Sequence, residues 1–105
     1  VLSGNTLYVS GQIAIEQSTG NMINGSIEEE TKQVMKNLGY ILKEANMDYS
    51  NIVKCSIFVA DMDNFQKINE VYGKSFPSEQ PARETVEVSR LPKDVNVEIS
   101  CIAIK

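Results

Sequence analysis

The sequence predicts an α+β fold, a mixed β-sheet with two helices packed on one face. Two stretches repeat their apolar residues at helical spacing, and short β-rich runs bounded by turn residues separate and flank them. The resulting order, β-β-β-α-β-α-β-β, gives a sheet layer and a helix layer. The 105 residues fit one domain, residues 1–105, with no repeat, low-complexity tract or linker. A domain of this size buries roughly 65% of the surface its unfolded chain exposes. That is enough for a core but not for a deep private pocket, which points to a site shared between subunits.

The elements follow in order. Gly4-Asn5 is a turn dipeptide between apolar residues and starts a hairpin. Leu7-Tyr8-Val9 and Ile13-Ala14-Ile15 flank Ser10-Gly11-Gln12, and a glycine inside a strand pattern marks a bulge or a close backbone approach. Ser18-Thr19-Gly20-Asn21 is a second turn, before a short strand at Met22-Ile23. Ser26-Ile27-Glu28-Glu29 is a capping box, and Ile27, Val34, Leu38, Ile41, Leu42 and Ala45 carry a helix from about Ile27 to Ala45. Glu28, Glu29 and Glu30 form a charge cluster that the helix dipole favours. Val53 to Ala60 reads as a strand with both faces partly covered. Asp63-Asn64-Phe65-Gln66 has the form of a second capping box, and Phe65, Ile68, Tyr72 and Phe76 follow at helical spacing, with Tyr72 and Phe76 read as helix-face packing rather than ligand stacking. Pro77 and Pro81 bracket the exit. Strands at Glu84 to Ser89 and Val95 to Ile104, joined by Arg90-Leu91-Pro92-Lys93-Asp94, close the chain as a hairpin.

Composition removes several chemistries. The formal charge is -4 and no basic run is present, so nucleic acid is disfavoured as a partner. The absence of histidine removes Ser-His and Cys-His pairs and most zinc sites, and no metal site or cofactor is expected. Cys55 and Cys101 lack CxxC spacing and sit among apolar residues, as free core thiols do. No apolar run approaches transmembrane length, so no membrane partner is expected. No signal peptide is visible in a chain that opens at Val1, and a reduced, cytoplasmic protein is the expectation.

The C-terminal hairpin holds the residues best suited to chemistry. If Val86 and Val88 share the buried face with Val95, Val97, Ile99 and Cys101, the expected pairs are Val86 with Val97 and Val88 with Val95. That register sets Thr85 opposite Glu98 and Arg83 near Ser100. Arg83, Thr85, Glu87, Asn96, Glu98 and Ser100 then share the face away from the helices. A solvated face would produce the same pattern. Two details point to a site instead: Pro81-Ala82 fixes the backbone before Arg83, and Ile102 and Ile104 extend the same face as apolar residues that another subunit would cover.

These residues resemble a known family. Pro81-Ala82-Arg83, Val86-Glu87-Val88, Leu91-Pro92-Lys93-Asp94 and Val97-Glu98-Ile99 are similar to the C-terminal signature of the reactive-intermediate deaminase (RidA/YjgF) family, also known as endoribonuclease L-PSP. Ser10-Gly11-Gln12-Ile13, Val53-Lys54, Phe58-Val59, Asp63-Asn64-Phe65 and Asn69 with Tyr72 extend the likeness along the chain. The resemblance implies a chorismate-mutase-like fold, a homotrimer around a central barrel, and clefts between subunits. It implies hydrolysis of 2-imino acids, 2-iminobutyrate and 2-iminopropanoate, to 2-oxo acids and ammonia. Arg83 would bind the substrate carboxylate, a task suited to a guanidinium fork. Glu98 would activate water and relay its proton. Gly11, Asn69, Glu84 and Thr85 would complete the substrate contacts. Thr85 stands where many members carry a cysteine, and the family's Gly-Pro-Tyr segment upstream of the first hairpin is not in this sequence. A non-catalytic trimer that senses small carboxylates, or an endoribonuclease or translation inhibitor, are the competing readings.

Overall fold

The structure, a computed structural model, describes Val1–Lys105. Its sheet contains β1 (Leu2–Ser3), β2 (Thr6–Gln12), β3 (Ile52–Val59), β4 (Ala82–Glu87) and β5 (Val97–Ile104), with helices α1 (Ile27–Glu44) and α2 (Phe65–Gly73). Across the sheet the order is β1-β2-β5-β3-β4, antiparallel except for the parallel pair β3–β4. The expected α+β layering is present, with both helices on one side of a mixed sheet.

Local chemistry sets the element ends. Gly4, at φ +60°, turns the chain so that Leu2 meets Leu7 and Ser3 meets Thr6. The Ser26 hydroxyl accepts from the Glu29 N–H at 3.1 Å and starts α1, which ends at Glu44 before a C-cap at Ala45. The second capping box does not form. Asp61 instead caps a short 3₁₀ turn by accepting from the Asp63 N–H at 2.9 Å, and Asn64 makes no side-chain cap at the start of α2.

Inward residues build one core. Val34, Leu38 and Leu42 on α1, Ile68 and Tyr72 on α2, Cys55, Ile57 and Val59 on β3, and Val97, Ile99, Cys101 and Ala103 on β5 are buried together. The third N-terminal strand reduces to a single bridge between Ile15 and Met22. The Asn37 amide donates to the Ile13 and Ile15 carbonyls at 3.0 and 2.9 Å, and Gln33 Nε2 donates to Asn37 Oδ1 at 2.9 Å. Side-chain amides thus supply the bonds that a neighbouring strand would have made.

The C-terminal hairpin is not present. β3 lies between β4 and β5, so the expected pairs Val86–Val97, Val88–Val95 and Thr85–Glu98 do not exist. Instead Cys55 pairs with Arg83, Ser56 with Glu84, Ile57 with Thr85 and Phe58 with Val86. On the other side of β3, Ser56 pairs with Ser100 and Phe58 with Glu98. The cause is the β3–α2–β4 connection: a helix that covers the sheet between two strands brings the second back parallel to the first. Parity then reverses on β4. Arg83, Thr85 and Glu87 share the helix-covered face of Cys55, Ile57 and Val59, while Glu84 and Val86 share the open face with Glu98 and Ser100.

Glu30 also departs from expectation. It is fully buried and accepts from the Asn96 N–H at 2.7 Å, Asn96 Nδ2 at 2.8 Å and the Val97 N–H at 3.2 Å. It therefore ties the start of α1 to the start of β5. Glu30→Ala would strand all three donors and should lower stability by about 3 kcal/mol. Glu28→Ala, at an exposed position of the same turn, should stay within about 0.5 kcal/mol. Urea titration of the two variants checks the difference.

Candidate active site

Arg83 sits on the edge strand β4 and reaches under α2. Its Nη1 donates to Asn69 Oδ1, and its guanidinium carbon lies 5.2 Å from the Tyr72 ring centroid and 5.6 Å from that of Phe65. No carboxylate pairs with it: the ion pairs of the chain are Lys54–Glu84 and Arg90–Asp94. A half-buried arginine held by an amide and two rings, with no counter-ion, keeps guanidinium donors for an anion.

Glu98 lies on the open face of β5, over Gly11. The register between β2 and β5 shifts between Val9 and Gln12, forming the bulge that the glycine signalled. A Cβ added at Gly11 would lie 2.6 Å from the Glu98 carboxylate carbon and Oε2. Only glycine lets the carboxylate rest there.

The expected site residues therefore fall into groups. Arg83 and Asn69 meet directly, and Thr85 shares their side of the sheet. Glu98 and Gly11 meet on the opposite side. Glu84 also faces the open side, where Lys54 Nζ lies 2.8 Å from its carboxylate and the Ser56 hydroxyl donates to it. Those two bonds, Lys54 first, hold the Glu84 carboxyl below its ordinary range. Within one copy of the chain, Arg83 and Glu98 cannot touch the same small ligand. None of the chain's cavities is lined by either residue. Sequence reasoning placed both on one face because it paired β4 with β5. It also favours packing over ligand stacking for Tyr72 and gives Phe65 no role at the site, although Phe65, Asn69 and Tyr72 lie four and three residues apart, the spacing of one helix face.

The Endoribonuclease L-PSP family model matches residues 1–105. The chain belongs to that family. Among its relatives, a human protein named 2-iminobutanoate/2-iminopropanoate deaminase is 43% identical over 105 residues, covering all of this chain and 77% of that protein. A RutC family protein of Pyrococcus horikoshii is 44% identical, covering 100% and 83%. The crystal structure of E. coli TdcF with bound serine superposes with a TM-score of 0.93 at 32% identity, covering 100% of this chain and 84% of that one. Within this L-PSP fold, β3, β4 and α2 present Arg83, and β2 and β5 present Glu98.

The two cysteines of this L-PSP chain face each other across β3 and β5, both buried and free. Burial pushes both thiols up from the ordinary 9.0, Cys101 to about 12 with Cys55 adding to the effect, while Tyr72 and Arg83 partly offset it at Cys55. Neither thiol should react with Ellman's reagent at pH 8 in the native protein, and both should react in guanidinium chloride. The folded state holds these protons more tightly than the unfolded chain. Stability should therefore fall as pH rises from about 9 toward about 12, where only the unfolded thiols release them. Urea midpoints across that range check the sign.

Proposed function

We propose that the chain hydrolyses 2-imino acids, 2-iminobutanoate and 2-iminopropanoate, to 2-oxo acids and ammonia. The observation that carries this reading is Arg83, half-buried, held by Asn69 and lacking a counter-ion. The full-length similarity to a human protein named for this deaminase supports it.

The geometry suits a reaction that demands little. Arg83 would bind the carboxylate and set the imine carbon in place. A protonated imine is already electrophilic. Glu98 would take a proton from water as the water oxygen bonds to C2, giving an amino alcohol. The same carboxyl would return that proton to nitrogen, then take the hydroxyl proton as the carbonyl forms, the C–N bond breaks and ammonia leaves. The oxo acid, ammonia and one proton, which leaves with the ammonia as ammonium, together account for the protonated imine and one water.

We infer further that the working form is a homotrimer with its sites between copies, and that the chain acts on small molecules in the cytoplasm. Arg83 and Glu98 occupy opposite faces of one sheet, so one copy's Arg83 would face another's Glu98. The open face also leaves Tyr8, Val86 and Ile104 at 51%, 43% and 42% exposure, an apolar surface suited to a second copy.

Hydrolysis is tested with 2-iminobutanoate generated in situ by a dehydratase. Arg83→Ala should lower kcat/KM by about 100-fold or more. Glu98→Ala should lower kcat by about 100-fold or more. Gly11→Ala, which displaces the Glu98 carboxylate, should lower kcat with little change in KM. A wild type of trimeric mass that binds 2-oxobutanoate without turnover would instead assign a carboxylate-sensing role.

A further inference from the structure

We propose that Phe65 and Tyr72 are positioning residues for Arg83, an aromatic clamp on α2 that fixes the guanidinium for a carboxylate. The proposal rests on the reading of Arg83 as the carboxylate-binding group, and it adds what makes that group competent.

Phe65, Asn69 and Tyr72 fall on one face of α2, and all three contact the same side chain. Both ring centroids lie within the roughly 6 Å over which a cation is drawn to a π-face. Asn69 occupies one N–H donor. The rings occupy no donor, so the others stay available to a ligand. An arginine otherwise samples many rotamers, and each must be given up on binding. Holding it before the ligand arrives moves that cost from binding into folding.

Two details separate a clamp from ordinary packing. The Tyr72 side chain is fully buried, with its hydroxyl beside the Cys55 thiol. Its ring is the part of the residue that lies against the guanidinium. Its burial also removes competing water and strengthens the cation–π contact. Phe65 is 37% exposed, a large apolar side chain at the surface whose ring lies against the guanidinium. The nearest-sequence carboxylate, Glu84, points to the other face and is taken by Lys54 and Ser56, so it does not compete for Arg83.

The test measures kcat and KM for 2-iminobutanoate, and calorimetric Kd for 2-oxobutanoate, in wild type, Phe65→Leu, Tyr72→Leu, Tyr72→Phe and Arg83→Ala. Phe65→Leu and Tyr72→Leu should raise KM and Kd by about five- to tenfold and change kcat by less than about twofold. Tyr72→Phe, which keeps the ring, should restore the wild-type values. Phe65 lies at the surface, so Phe65→Leu carries the test if Tyr72→Leu does not fold. Wild-type binding by Phe65→Leu would overturn the clamp. So would Tyr72→Phe as weak as Tyr72→Leu, which would make the hydroxyl the operative group. Wild-type binding by Arg83→Ala would overturn the carboxylate assignment itself, and that result is read from its own variant.

Discussion

The parallel pairing of β4 with β3, in the register that sets Arg83 beside Cys55, is the constraint on which the site depends. It turns Arg83 toward the helices, where α2 supplies Asn69 and two rings to hold it. The neighbouring strand β5 keeps its own alternation, with Ile99 inward and Glu98 outward. The two groups best suited to imine chemistry therefore face away from each other. A one-residue slip of β4 would point Arg83 at the open face and bury Glu84 against the core without its lysine, so packing and site geometry are fixed together.

Most of the fold was legible because it rests on local signals. Ser26 and the apolar spacing from Ile27 to Ala45 marked α1 almost to the residue, and Gly4-Asn5 marked the first turn. Gly11 was read as a bulge or a close approach, and it is both: the register shifts there and Glu98 lies over it. What failed was non-local. Nothing in the alternation of Val86 and Val88 says which strand lies beside them, and adjacency in sequence suggested a hairpin. The strand–helix–strand order from Val53 to Val88 held the contrary signal, since such a unit favours parallel strands with the helix across them. The buried role of Glu30 was equally hidden, because its acceptors' partners lie at Asn96 and Val97, 66 and 67 residues away.

Buried polar groups do much of the positioning here. Glu30 fixes the backbone just before Glu98 at the start of β5, and Asn37 holds the backbone just after Gly11. Each is a specific tie between α1 and the Glu98 half of the proposed site, while α2 ties down the Arg83 half. Each helix thus serves one half, and one chain carries both halves without joining them. Joined between copies, as proposed, that arrangement would give a 105-residue protein a site larger than its own core would allow.

Mixing two inactive variants tests this account most directly. Arg83→Ala and Glu98→Ala chains, co-refolded in equal amounts, should recover about a quarter of wild-type 2-iminobutanoate hydrolysis, because random assembly pairs an intact Arg83 with a neighbour's intact Glu98 at that frequency. A mixture that assembles to the wild-type mass and stays as inactive as either variant alone would contradict a site shared between copies.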